Sequence, residues 1–146
     1  MVALAALFLG LSIGAYPAAA QSTESTGLAA TPNVTVRGGV GNIRTKTFPF
    51  NPAGAQSARD EVHDRSKCGD AFCTIQIVAG NYKVFKLSGC DTFDLHAFGG
   101  LFDSHNHGSL TAQFLDQWNT PIGWYRGGMK DPVQWDPVYA VRLCQP

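Results

Sequence analysis

The sequence lacks an excess of charge of either sign, since its 146 residues include 11 basic and 11 acidic side chains. Nucleic acids and anionic membrane surfaces attract a basic excess, so this balance argues against both classes of partner. Glutamate is scarce as well, with only Glu24 and Glu61. Low glutamate beside 16 glycines and 9 phenylalanines disfavours a helical bundle and favours strands and turns.

A hydrophobic run long enough to span a bilayer is also missing. Residues 2–13 form the most apolar stretch, and Pro17 and three alanines follow before the polar Gln21. A short apolar segment followed by small residues is typical of a secretory signal peptide. We therefore expect residues 1–20 to be a signal peptide rather than a retained membrane anchor, and the protein to be secreted and extracellular.

The rest of the chain divides into a lead and one domain. Residues 21–32 are rich in small and polar residues without apolar periodicity, which predicts a flexible lead. Residues 33–146 are long enough for one modest core and are interpreted as a single β domain. Asn33 opens an Asn-Val-Thr sequon, which makes it a candidate glycosylation site in a secreted eukaryotic protein. An unmodified strand start is the alternative.

The four cysteines all follow residue 20, and an even count in a small secreted domain predicts two disulfides. Three pairings are open. We favour Cys68 with Cys73, because the Gly-Asp turn between them brings the ends together, and Cys90 with Cys144, which ties mid-chain to the last strand. A zinc site is disfavoured because the spacing lacks paired C-x-x-C knuckles.

Short alternating segments separated by turn residues fill the domain. The predicted strands are residues 34–37, 42–50, 73–78, 82–87, 90–98, 110–115 and 138–144. One helix is expected over residues 53–67, with Ser57 and Asp60 as a loose capping box and Val62 as its strong apolar anchor. Seven or eight such strands predict an all-β fold: a small antiparallel β-barrel or β-sandwich with one short surface helix, stapled by disulfides.

The most suggestive polar cluster combines His96 with residues 103–108, DSHNHG. On a strand, His105 and His107 would share a face, and His96 from a neighbouring strand could complete a metal site. A catalytic histidine is another interpretation. We favour a polar loop, because Asp, Ser, Asn and Gly are turn-forming residues, and we expect neither a metal nor another cofactor.

Four aromatic residues, Trp118, Trp124, Tyr125 and Trp135, fall within 18 positions of one another, in a glycine- and proline-rich stretch. Aromatic faces beside Asn, Asp and Arg side chains can bind sugar rings, so these four are a candidate recognition surface. A small β domain also needs large apolar side chains for its core, and core packing is the interpretation that we favour.

Patterns that would support catalysis are sparse. The sequence contains no G-x-S-x-G elbow, and nothing in it pairs two carboxylates across a cleft. A fungal guanyl-specific ribonuclease would need Glu, His and Arg on its central sheet, whereas Glu24 lies in the lead and Glu61 on the expected helix. We therefore expect a protein that is not an enzyme and has no catalytic residue.

Five segments carry a resemblance to a known group of proteins. They are residues 45–50 (TKTFPF), 68–73 (CGDAFC), 90–96 (CDTFDLH), 123–126 (GWYR) and 136–144 (DPVYAVRLC). With the size and cysteine layout of residues 34–146, they resemble small secreted fungal proteins. In particular, they are similar to the hypersensitive-response-inducing elicitors of plant-pathogenic fungi.

This resemblance implies a secreted, disulfide-bonded β-barrel that plant cells perceive and answer with cell death and defence. It places the disulfides at Cys68, Cys73, Cys90 and Cys144 and supplies no catalytic residue. We accordingly expect a monomeric virulence effector whose partner is a host protein or a cell-surface glycan, with no stable insertion into a membrane. A secreted carbohydrate-binding β module is the first alternative, and a small secreted hydrolase is the second.

Overall fold

The computed structural model describes residues 31–145. The predicted signal peptide, residues 1–20, and most of the predicted lead lie outside the described residues. Eleven strands and two helices follow one another within that range. They are β1 (Asn33–Val36), β2 (Asn42–Pro49), α1 (Pro52–His63), α2 (Arg65–Cys68), β3 (Phe72–Val78), β4 (Asn81–Ser88), β5 (Thr92–His96), β6 (Leu101–Phe102), β7 (Ser104–Asn106), β8 (Thr111–Leu115), β9 (Pro121–Tyr125), β10 (Val133–Gln134) and β11 (Ala140–Gln145).

Two antiparallel sheets make up most of the fold. One has five strands in the order β1-β5-β11-β8-β9, and the other has four in the order β2-β4-β3-β7. β6 and β10 form a separate two-stranded ribbon. Phe72 and Phe85 from the four-stranded sheet share one buried cluster with Phe93, Phe114 and Val141 from the five-stranded sheet. The predicted all-β fold is therefore confirmed, and it takes the sandwich form because the alternating apolar residues of both sheets meet between them.

Helix α1 covers the other face of the four-stranded sheet. Ala58 and Val62 pack there against a second buried cluster that includes Ile75 and Val84. The predicted helix exists, but its predicted cap is wrong. The side chain of Asn51 caps α1 by accepting a hydrogen bond from the Gly54 N–H at 2.8 Å, six positions before Ser57.

The predicted helical segment is also divided. α1 ends at His63, and the carboxylate of Asp64 accepts the Ser66 N–H at 2.8 Å to begin the short helix α2. No helix within residues 31–145 is long and apolar enough to cross a membrane.

Both favoured disulfides are present, Cys68–Cys73 and Cys90–Cys144. The first closes the segment that leads from α2 into β3. The second joins the start of β5 to the end of β11, two strands that already pair in the five-stranded sheet. The pairing prediction is confirmed.

The strand prediction missed four short elements: β6, β7, β9 and β10. The segment interpreted as a polar loop, residues 103–108, contains β7, which pairs antiparallel with β3 so that Cys73 lies opposite His105. The loop interpretation is therefore wrong for residues 104–106. The polar residues of this segment do not show the apolar alternation that predicts a strand. The edge of the sheet at β7 nevertheless packs against α1 as well as facing solvent.

Candidate binding surface

The four candidate aromatic residues separate into two exposed and two buried side chains. Trp118 is 75% exposed and Trp124 is 51% exposed. Tyr125 and Trp135 are buried, at 3% and 0%. The predicted recognition surface is therefore corrected to Trp118 and Trp124.

Trp135 and Tyr125 are buried because they build the core between the sheets. The Trp135 ring packs against Phe72 and Phe114, with centroids 6.1 and 5.5 Å apart. The Tyr125 hydroxyl lies 2.9 Å from the carbonyl oxygen of Ser104 and 2.6 Å from that of Asp131. Burial raises the pKa of Tyr125 to about 12, so its hydroxyl stays neutral.

Trp124 lies on β9, an edge strand of the five-stranded sheet. Successive side chains of a strand point to opposite faces, so the buried Tyr125 turns its neighbour Trp124 outward. Ile122, two positions earlier in the same strand, is 45% exposed. An edge strand with two exposed apolar side chains is an unprotected surface that suits a ligand or partner.

A row of polar side chains continues from Trp124 across the sheet. Trp124 is opposite Gln113, Gln113 is opposite Arg142, and Arg142 is opposite Thr92. The Arg142 Nη1 donates to Gln113 Oε1 at 3.2 Å, and its Nε donates to Thr92 Oγ1 at 3.4 Å. These contacts fix the half-buried Arg142 on the outer face of the sheet beside Trp124, while Gln113, which is only 5% exposed, positions that guanidinium.

Trp118 lies in the tight turn between β8 and β9. One carboxylate oxygen of Asp116 accepts the N–H groups of Trp118, at 2.9 Å, and Thr120, at 2.8 Å. Asn119 takes a left-handed conformation at φ 63°, which Asn tolerates better than most residues. This turn therefore holds the backbone of Trp118 in one shape while its side chain is exposed.

The turn is also tied to the sheet. Arg37 Nη1 donates to Asn119 Oδ1 at 2.8 Å, and the same guanidinium pairs with Asp94. Asp94 follows the buried Phe93 in β5 and so lies on the outer face. The β8–β9 turn and the row at Trp124 thus belong to one side of the molecule. We call Trp118, Trp124, Gln113 and Arg142 the tryptophan surface.

The chemistry of the tryptophan surface suits neutral polar rings. An indole face packs against the C–H groups of a sugar ring, and a guanidinium donates hydrogen bonds to its hydroxyl oxygens. The groups are held by the sheet and the turn, so little conformational entropy is lost on binding.

The candidate histidines do not form the three-histidine metal site that was the alternative to a polar loop. His96 is exposed at the end of β5, where its Nε2 lies 3.2 Å from Thr35 Oγ1. His105 and His107 do come together, with ring centroids 3.6 Å apart. Their third neighbour is His63 of α1, whose ring centroid is 5.6 Å from that of His105. Sequence reasoning missed His63 because only the packing of α1 brings it to β7.

His107 and His63 have polar neighbours from other parts of the fold. His107 Nε2 lies 2.8 Å from the carbonyl oxygen of Val62, and Asp103 Oδ1 lies 4.0 Å from His63 Nε2. Burial, and then the proximity of His107 and His63, lower the pKa of His105 to about 4. Among the described residues, no three His, Cys, Asp or Glu side chains are placed to hold a metal ion.

Asn33 stands exposed at the start of β1, opposite His96, with Thr35 of the sequon exposed beside it. The site is accessible for glycosylation, which stays a prediction.

Comparison of the chain with known protein families, curated proteins and solved structures found no match.

Proposed function

We propose that this protein is a secreted, non-enzymatic binding module that recognises carbohydrate through the tryptophan surface. The observation that carries the proposal is the row in which the half-exposed Trp124 stands beside Gln113 and Arg142 on the outer face of the sheet. Exposing two large indoles to water is unfavourable in a free protein, and binding a ligand would cover them.

Secretion rests on two features. Residues 1–20 have the pattern of a signal peptide, and the described domain contains two disulfides, which persist in oxidising compartments. A protein stapled in this way keeps its sheet rigid outside the cell, where cell-wall and cell-surface glycans are the abundant ligands.

The proposal is tested with an array of neutral oligosaccharides built from β-linked glucose, xylose and N-acetylglucosamine, probed with the full chain. We expect binding to at least one series and a loss of at least about tenfold in affinity for Trp124→Ala, since each 1.4 kcal/mol of lost contact is tenfold. Trp118→Ala is expected to weaken binding as well.

The matched control is Phe50→Ala, which removes an exposed aromatic side chain outside the tryptophan surface. It is expected to bind the same oligosaccharides as the unmodified protein. Silence across the array, with folding verified by circular dichroism, would overturn the proposal. Equal losses for Trp124→Ala and Phe50→Ala would overturn the assignment to the tryptophan surface.

A second candidate function is elicitation of plant defence. What supports it is that the four cysteines carried over from the elicitor resemblance, Cys68, Cys73, Cys90 and Cys144, are all bonded in a small β domain. Infiltration of the folded protein into leaves is expected to cause local cell death. Leaves that stay unaffected, while a known elicitor acts in the same plants, would rule this function out.

A further inference from the structure

A separate groove lies on the helix side of the four-stranded sheet, between α1, β3 and the segment that enters β7. Its volume is about 320 Å³, and its lining includes Phe50, Ile77, Tyr82, Leu101, Arg59 and Asp103. We propose that this groove binds a small, neutral aromatic molecule that carries a hydroxyl group.

The apolar part of the groove is unusually exposed. Leu101 is 62% exposed, Phe50 is 56% exposed and Ile77 is 39% exposed, and all three line the same cavity. The Phe50 and Tyr82 rings lie 4.9 Å apart and tilted by 31°, which gives the groove an aromatic wall. A patch of this kind on a soluble protein marks a binding groove, because water contacts it at a cost in free energy.

The polar part of the groove offers both a donor and an acceptor. Arg59 Nε donates to Asp103 Oδ2 at 2.9 Å, and the two Nη atoms of Arg59 have no hydrogen-bond partner among residues 31–145. The other carboxylate oxygen, Asp103 Oδ1, is 4.0 Å from His63 Nε2, which is beyond hydrogen-bond distance. Free N–H donors and a free carboxylate oxygen therefore stand side by side.

This pair selects the charge of the ligand. A hydroxyl group accepts from Arg59 and donates to Asp103 at once. Arg59 and Asp103 are oppositely charged, so a carboxylate or an ammonium head group is attracted by one and repelled by the other, and it gains no net attraction that would offset its lost hydration. A neutral hydroxyl is therefore the head group that satisfies both residues.

The volume sets the size of the ligand. Ligand pockets span about 300–1,000 Å³, so this groove is at the small end and suits a molecule of one or two rings. An oligosaccharide or a folded protein partner would extend well beyond it. The groove also lies on the helix side of the four-stranded sheet, away from the tryptophan surface, so this inference does not depend on the proposed function.

The test is isothermal titration calorimetry of the full chain with 2-naphthol, a neutral hydroxylated bicyclic probe. We expect saturable binding with one site per chain. The charged analogues 2-naphthoate and 2-naphthylmethylamine are expected to bind at least about tenfold more weakly, because neither gains from the Arg59–Asp103 pair a net attraction that would offset its lost hydration. Phe50→Ala and Leu101→Ser are expected to weaken 2-naphthol binding by about tenfold through lost apolar contact.

Two variants locate the site. Asp103→Asn removes the negative charge and is expected to bring 2-naphthoate binding close to that of 2-naphthol. Trp124→Ala is expected to bind 2-naphthol like the unmodified protein, which separates this groove from the tryptophan surface. The inference is overturned by absence of saturable binding up to the solubility limit of 2-naphthol, by equal binding of the three probes, or by unchanged affinity in both groove variants.

Discussion

Glu61 Oε2 lies 2.6 Å from Lys46 Nζ, and the other Glu61 oxygen accepts a hydrogen bond from Lys86 Nζ, although Glu61 is only 3% exposed. The contact joins α1 to the two neighbouring strands β2 and β4. Burial alone would raise the pKa of Glu61, but the two lysines outweigh it and hold this pKa below its ordinary value. Glu61, one of the two glutamates in the sequence, thus links the helix to the sheet through two ion pairs.

The first prediction is that Glu61→Gln destabilises the fold by about 2 kcal/mol, because only one neutral acceptor remains for two lysines and the other lysine faces an amide NH2 group. Urea unfolding at pH 7 measures this difference. Since the folded pKa is below the ordinary 4.5, the stabilisation is fully present above that pH and is lost as pH falls through the folded value. The difference in free energy of unfolding between the unmodified protein and Glu61→Gln should therefore shrink below pH 4.5. A gap that is constant down to acid pH would contradict this account.

The second prediction concerns His105, whose pKa is lowered to about 4 by burial, by His107 and His63, and by Lys130. In the unfolded chain the His105 ring is protonated near pH 6.5, whereas in the folded chain it is protonated only near pH 4. Unfolding is therefore favoured as pH falls from 6.5 to 4. The melting temperature should drop over that window in the unmodified protein and drop less in His105→Gln.

An NMR titration of the His105 ring provides the direct measurement. A midpoint near 4 is expected, together with an upward shift of that midpoint in His107→Gln, where one repelling neighbour is removed. A midpoint near 6.5 in the folded protein would show that the ring is not desolvated as the geometry requires.

Much of this fold could be predicted from alternation along the sequence. The predicted β2 differs from the observed strand by one residue at its end, and β4, whose alternation is imperfect, extends one residue beyond the predicted 82–87 at each end. β9 was missed because Pro121 and Gly123 disfavour strands in a single-sequence pattern. The burial of Trp135 against the exposure of Trp118 depends on tertiary packing, which no local pattern contains. The alternation of Trp124 and Tyr125 did carry a usable signal, since neighbours in a strand face opposite sides.

The third prediction concerns Asp91, a buried carboxylate that organises the segment between β1 and β2. It accepts backbone N–H groups from Gly38 at 2.7 Å, Val40 at 2.9 Å and Gly41 at 2.9 Å, as well as from Thr92 at 2.7 Å. Burial opposes ionisation, but these donors together keep the pKa of Asp91 below its ordinary value. Asp91→Asn replaces one accepting oxygen by an amide that points its own hydrogens at backbone N–H groups.

Hydrogen exchange measures the effect of Asp91→Asn. The amides of Gly38, Val40 and Gly41 are expected to exchange about tenfold faster or more, because local opening of the segment becomes easier. Asp70→Asn is the matched control, since among residues 31–145 the Asp70 carboxylate pairs only with the exposed Arg65 side chain. Unchanged exchange at these three amides would show that Asp91 does not hold the segment.

The fourth prediction is that buried and exposed aromatic residues contribute different amounts to the stability of the fold. Trp135→Ala is expected to cost about 3–5 kcal/mol, because it opens a cavity at the centre of the core. Trp118→Ala is expected to change stability by no more than about 0.5 kcal/mol, as for other exposed positions. Trp135→Phe, which retains a ring, should lie between them. Similar costs for Trp118→Ala and Trp135→Ala in urea unfolding would contradict the observed burial.

The fifth prediction ranks the two disulfides. Cys90–Cys144 closes a loop of 54 residues and Cys68–Cys73 closes one of 5. In the chain-entropy model the longer loop stabilises by about 4 kcal/mol and the shorter by about 2 kcal/mol, because a longer free loop gives the unfolded chain more conformations to lose. The double variant Cys90→Ala/Cys144→Ala should therefore unfold at lower urea concentration than Cys68→Ala/Cys73→Ala. The reverse order would show that the short bridge acts through the folded state, by holding α2 against β3, rather than through the unfolded chain.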